Sequence, residues 1–430
     1  MRKWLVFSMF LVLFMDTTLG LKLGLGMGLS VKNLYLYALC MLLAVDAAMK
    51  PGDIKLADFD LQAPFLILLA YAGVTWVVKS TFDPVYEPMR SLVTLKNQLV
   101  DLYLFFLLFR FGPRTRDEFM WLLRGVVGVL AASSILTLVD FLDMPNLGIV
   151  GTFKGRVEGP IGAANQYGAL LVFLLPVMIS LIPRPGERWR LFWIITILAS
   201  AVLLVATGSR GAYVALISGS VMATLYLRRY LNPAAIMRGL LVGLVGTVVA
   251  VVIVMLTSED VFFEVVRKTG EEDASRVSSG RLDIWTAAFR VMLEWPMSYV
   301  VGYGWNSYEA SGIWKAAHSV YFDAWYELGL IGLLTLLWLY YRVVVRTRAH
   351  IAGAGPTEAR VLKGYLFGFI GLLVAMVFVQ IPEPSTIVWM ITGLVVGLQS
   401  FSEPAAGTDP AVAGSPVALD GQSLGRASAG

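Results

Sequence analysis

Trp314-Lys315-Ala316-Ala317-His318-Ser319-Val320-Tyr321 closes a stretch running from about Thr257 to Gly332, and the reading of that stretch decides the fold. About sixty polar and mixed residues open it, the only long break in an otherwise apolar chain. It ends on an apolar helix containing Glu327-Leu328-Gly329. His318, one of 2 histidines in 430 residues, therefore stands where a large loop re-enters a bilayer. This junction reads as an active site that the other segments hold in place.

Hydrophobic residues make up 57% of the chain and charged residues 15%, with a mean hydropathy of +0.72. A soluble domain averages about 25% charged residues, so the composition implies a polytopic membrane protein. The net charge of +4 calls for no nucleic acid, because the basic residues sit in short loops between apolar runs. The single Cys40 lies inside such a run, which excludes an intrachain disulfide and argues against cysteine chemistry. Met1-Arg2-Lys3 before Trp4 to Met15 looks like the start of a signal peptide. Thr17-Thr18-Leu19-Gly20-Leu21 is a poor cleavage site, so an uncleaved first span is expected.

Runs able to cross about 30 Å of hydrocarbon, near 20 residues each, fall at roughly 4–20, 33–49, 61–79, 95–111, 120–142, 165–183, 189–207, 211–228, 236–256, 318–341, 361–381 and 386–401. The fold class they imply is all-α, a polytopic membrane protein of about twelve transmembrane helices. One long periplasmic loop would carry short amphipathic helices. The expected division is 1–256 for nine spans, 257–317 for the loop, 318–401 for three more spans, and 402–430 for a disordered cytoplasmic tail rich in Ala, Gly, Pro and Ser. Arg and Lys in the short loops set the orientation. With a cytoplasmic N-terminus, eighteen lie inside and eight outside. The long loop is then expected on the far face, which for a bacterial inner membrane is the periplasm.

Within the loop, Leu282, Trp285, Phe289 and Met292 recur at spacings of 3, 4 and 3, so Arg281 to Trp295 reads as an amphipathic helix ended by Pro296. Such a helix either roofs a cavity from the interface or is a plain loop helix. Gly302-Tyr303-Gly304-Trp305-Asn306 reads as a tight turn.

Ionisable groups at a membrane face are costly and tend to mark function. Arg156 precedes Asn165-Gln166-Tyr167-Gly168 at a helix start, Arg210 sits in the short turn Thr207-Gly208-Ser209-Arg210-Gly211-Ala212, and the long loop supplies Arg276, Arg281 and His318. A guanidinium held in so tight a hairpin presents a planar, permanently charged fork to a phosphate. A snorkelling or capping role for Arg210 competes with that reading. His318 has the chemistry of a general base for a sugar hydroxyl; an interfacial histidine bonded to a backbone carbonyl is the alternative. Glu327 lies nine residues further on, on the opposite helix face, where it suits an arginine of another helix. Asp58-Phe59-Asp60 resembles the metal-binding motif of nucleotide-sugar enzymes, but it falls on the cytoplasmic side without a nucleotide-binding domain. No metal site and no cofactor are expected.

Taken together, these stretches resemble the O-antigen ligase and O-antigen polymerase superfamily of bacterial membrane glycosyltransferases. Arg156, Gly159 and Asn165 match its pattern of Arg, Gly three on and Asn nine on; Gly208-Ser209-Arg210-Gly211-Ala212 matches its Ser-Arg-Gly turn. Ser279-Gly280-Arg281-Leu282 to Trp285, then Gly302 to Asn306, match its loop helix and turn. His318 to Tyr321, with Glu327-Leu328-Gly329-Leu330-Ile331-Gly332, matches its re-entry helix. The similarity covers about 150–340. Ser319 departs from a frequent Asn, and Ala163-Ala164 from Asn-Pro.

The resemblance implies a periplasmic active site, an undecaprenyl-pyrophosphate-linked glycan donor, a glycan or lipid A-core acceptor, and no metal. Carried over, Arg210 binds the pyrophosphate and His318 activates or positions the acceptor hydroxyl. Arg156 and Arg281 hold phosphate or sugar, with Asn165 and Glu327 completing the substrate-binding set. Ligase, repeat-unit polymerase and protein O-oligosaccharyltransferase share these motifs. From another class, a transporter or flippase of lipid-linked oligosaccharide would show Gly- or Pro-broken helices in two related halves. Asp16, Asp46, Asp101 and Asp140 lie in or near spans, but no matching halves are visible.

Overall fold

The computed structural model describes residues 2–18, 24–26, 28–49, 61–142, 151–153, 156–234, 280–308 and 317–402, with positions 237, 246, 248, 251–252 and 254–255 besides. Outside these lie Asp58-Phe59-Asp60, Lys154, most of the expected span 236–256, Arg276 with the loop portion 256–279, residues 309–316, and the tail from 403.

The chain is built of helices: α1 (Arg2–Thr18), α2 (Val31–Met49), α3 (Gln62–Phe82), α4 (Pro88–Leu95), α5 (Asp101–Phe111), α6 (Arg116–Phe141), α7 (Ala164–Leu181), α8 (Arg190–Ala206) and α9 (Arg210–Leu227). The loop and C-terminal part add α10 (Arg281–Glu294), α11 (Ser298–Val301), α12 (Val320–Ala349), α13 (Pro356–Ala375) and α14 (Pro382–Leu398). Two short antiparallel hairpins interrupt them, β1 (Gly24–Gly26) with β2 (Leu29–Ser30), and β3 (Gly151–Phe153) with β4 (Arg156–Gly159). Among the described residues 7 helices are long and apolar enough to cross a membrane, against the twelve expected; α4 and α5 count as one such run, Pro88–Phe111. A π-turn at Lys96–Val100 joins those two.

Residues apolar on every side take the centre. α7 is such a helix, and it is buried along nearly its whole length. Helices in a bilayer gain from close backbone approach rather than from hydrophobic exclusion, so small residues mark their crossings. Gly219 of α9 rests on Gly371 of α13, and Gly368 of α13 on the backbone of Phe173. Around Trp389 of α14, an aromatic cluster joins Phe65, Phe106 and Tyr340 at ring separations of 4.7, 5.8 and 6.4 Å.

The ends of the bundle are sorted by charge pairs. Arg2 and Arg114 both reach Asp46, the latter at 2.6 Å, and Arg116 pairs with Glu358. These are positions expected to share one face. At the opposite end Lys32 pairs with Asp16 at 2.8 Å.

α10 forms where the spacing of apolar residues and Pro296 place it, but its buried face differs from the expected stripe. Ile284, Ala288 and Met292 are fully buried, whereas Leu282 is exposed and Trp285 and Phe289 are half-buried. The cause is what the helix packs on. Tyr308, Ala317, Phe322 and Tyr326 press on one side, and Trp285 stacks on Phe322 at 5.7 Å from the shoulder.

Candidate functional site

Arg156 opens β4, which leads into α7. Its Nε donates to the Thr207 carbonyl at 2.7 Å, and its terminal nitrogen donates to Asn165 Oδ1 at 2.8 Å. The side chain thus lies across the α8–α9 turn, above Gly208, where an added Cβ would stand 3.2 Å from Nε. Asn165 acts on Arg156, setting the plane of the guanidinium.

Ser209 caps α9, its hydroxyl accepting from Ala212 N–H, so Arg210 is the first residue of that helix. Arg281 is likewise the first residue of α10, following Gly280 in the left-handed conformation. A helix N-terminus already carries partial positive charge and exposed N–H groups, so a cation there is unfavourable without an anion to receive. The Arg281 guanidinium is pushed below its ordinary range, first by burial and then by repulsion from Arg210 and Arg156. Arg156 and Arg210, both distant in sequence, therefore lie near enough to act on Arg281.

His318 is fixed from both sides. The Ala317 carbonyl before it accepts from Trp285 Nε1 at 2.8 Å. Ser319 after it caps α12, accepting from Phe322 N–H at 3.3 Å, and Val320 N–H donates to the Met376 carbonyl at 3.0 Å. His318 itself is left-handed, with φ 55, a conformation in which His, Asn and Asp are over-represented. Ser319 occupies a cap, and there Ser serves as well as Asn, which accounts for its departure from the superfamily pattern. The turn that Val320 reaches also meets α9, since a Cβ on Gly211 would come within 2.7 Å of Phe378. The starts of α9 and α12, carrying Arg210 and His318, thus rest against one turn, 376–378.

Glu327 lies further along the first segment of α12, just before its break at Gly329. Its carboxylate oxygens accept Asn306 N–H at 2.9 Å and Tyr308 N–H at 3.4 Å, while its own carbonyl accepts Gly304 N–H at 2.8 Å. Glu327 thereby latches the turn 302–308 onto α12. The latch needs a break in the helix, which Gly329 supplies at φ 62 and ψ -165. Gly302 and Gly329 meet backbone to backbone, and a Cβ on either would overlap a carbonyl of the other segment. Gly329→Ala combines that overlap with a left-handed alanine. It should destabilise the protein by about 2 kcal/mol or more, read as a lowered melting temperature of the purified protein.

Sequence reasoning passed over Asp323. Gln380 Nε2 donates to its Oδ2, and it lines a cavity of about 620 Å³ on the flank of α12. The signal was there, a carboxylate inside an apolar helix.

Residues 195–337 match a family model described as O-antigen ligase. No curated protein matches the chain. The matched stretch runs from α8 into α12 and contains Arg210, Arg281, His318 and Glu327; Arg156 and Asn165 lie before it. Such a domain implies a membrane enzyme of glycosyltransferase or ligase type. Within it Arg210 and Arg281 stand at helix starts and His318 at the entry to α12, and over residues 195–337 the chain is similar to the O-antigen ligase family.

Proposed function

We propose that the protein transfers a glycan from an undecaprenyl-pyrophosphate carrier to a sugar hydroxyl, of a lipid A core or a growing polysaccharide, on the periplasmic face of a bacterial inner membrane. The observation that supports this most is the gathering of Arg156, Arg210 and Arg281, the first two close enough to act on the third, since planar guanidiniums suit a phosphate bidentately. A pyrophosphate diester at membrane depth presents such phosphates. The acceptor oxygen bonds to the anomeric carbon as that carbon's bond to the pyrophosphate oxygen breaks. The hydroxyl proton passes to the His318 imidazole and then to water. Negative charge growing on the leaving pyrophosphate is met by the fixed guanidiniums.

Purified full-length protein, given a lipid-linked glycan donor and an acceptor in the presence of a chelator, should release undecaprenyl pyrophosphate and lengthen the acceptor. Movement of the donor across a vesicle bilayer without its cleavage would replace this reading with that of a flippase. Loss of transfer on chelation alone would remove the metal-independent mechanism.

A further inference from the structure

The cavity beside Asp323 lies between α3, the α4–α5 run, α12 and α14. Its volume of about 620 Å³ falls within the range of small-molecule sites. One end is polar, with Asp323, Gln380, Asn306 and Tyr308, and exposed Arg90 stands at its rim. The other end is lined by Phe65, Leu102, Leu336 and Trp389. Asp323 lies in the first turns of α12 and Leu336 beyond its break at Gly329, so the lining passes from polar to apolar along the helix. That is the outline of an amphiphile, a hydrogen-bonding head on an apolar chain.

The head's chemistry follows from the donors and acceptors. Asp323 Oδ2 accepts from Gln380, while Oδ1 has no hydrogen-bond partner among the described residues. A carboxyl in an apolar setting is costly until its acceptors are met, so a fitting head brings O–H donors. Glu327, in the same wall, already accepts two backbone N–H groups of the turn. Aromatic Trp305 and Tyr308 add faces suited to a sugar ring. Asp323 is on the first turns of α12, just past His318 and its cap Ser319.

We propose that this cavity is the acceptor site, holding the hydroxylated head of a lipid-anchored sugar at Asp323 and Gln380 and its apolar chain between α5 and α12. The arginine cluster then takes the donor, and His318 lies at the border between the two. The assignment to the acceptor rests on the transfer reading above; the glycolipid site itself does not.

The test uses full-length protein in phospholipid nanodiscs with a dodecyl glucoside carrying a photoreactive group in its tail. Saturable labelling of the α5 and α12 peptides is expected, competed by dodecyl maltoside and reduced at least tenfold in Asp323→Ala and in Gln380→Ala. Acceptor KM should rise at least tenfold in both variants while kcat falls less than threefold. In Arg210→Lys the labelling should persist although transfer fails. Diffuse or unsaturable labelling, or labelling indifferent to both substitutions while transfer proceeds, overturns the site and leaves the transfer reading standing. Saturable labelling in a wild-type protein that transfers no glycan keeps the site and removes the transfer reading. Competition by phosphatidylethanolamine but not by dodecyl maltoside overturns the assignment to a sugar.

Discussion

His318→Asn should give a folded protein that transfers glycan roughly 10²–10⁴ times more slowly. Asparagine is the informative replacement because of the backbone. His318 sits at φ 55, and a left-handed alanine costs about 1–2 kcal/mol, so His318→Ala mixes lost chemistry with strain. Asparagine tolerates that conformation, remains polar, and cannot take up a proton. The neighbouring anchors, Trp285 to the Ala317 carbonyl and Val320 to Met376, are made by other residues and should survive. The measurement is turnover with purified lipid-linked donor beside a melting curve. Near wild-type turnover in the asparagine variant would leave His318 a conformational residue only, since its shape would be kept and its base lost.

How much of this could be read beforehand depended on the range of the interaction. The extents of α10 and of the apolar helices follow from local periodicity, Pro296 and the break of apolar runs, and among the described residues, which exclude most of 236–256, the structure sets helices there. Which face of α10 is buried depends on Tyr308, Phe322 and Tyr326, contacts more than fourteen residues away in sequence that no periodicity encodes. The arginines at 156, 210 and 281 were legible as charges that a membrane face does not keep idly. That they share one site was implied by the superfamily resemblance alone; the contact that brings Arg156 to the α8–α9 turn, its bond to the Thr207 carbonyl, has no local signal. Glu327 stood out as a carboxylate suited to a partner arginine; that its oxygens accept N–H groups of a turn some twenty residues upstream had no signal in the sequence. The break at Gly329 was hidden within an unbroken apolar run, since a glycine inside a span signals close packing as readily as a kink.

The arginine cluster should show a trade between stability and activity. Arg210→Lys keeps the charge but replaces a planar fork with a point, so bidentate contact with phosphate is lost. Removing one preorganised donor to a developing anion costs about 10²–10³ in kcat, and Arg210→Lys should fall in that range. Arg281 provides the discriminating case. Its guanidinium is disfavoured by burial and by Arg210 and Arg156, and a bound anion offsets both effects. Arg281→Gln should therefore melt at the same temperature as wild type or higher, while transferring glycan at least tenfold more slowly. Inorganic pyrophosphate should raise the melting temperature of the wild type, because a ligand that binds only the folded state stabilises it, and should do so less in Arg281→Gln. Structural arginines would behave oppositely. If Arg281→Gln melts well below wild type and pyrophosphate moves neither curve, the three guanidiniums serve the fold, and no anion site exists at the starts of α9 and α10.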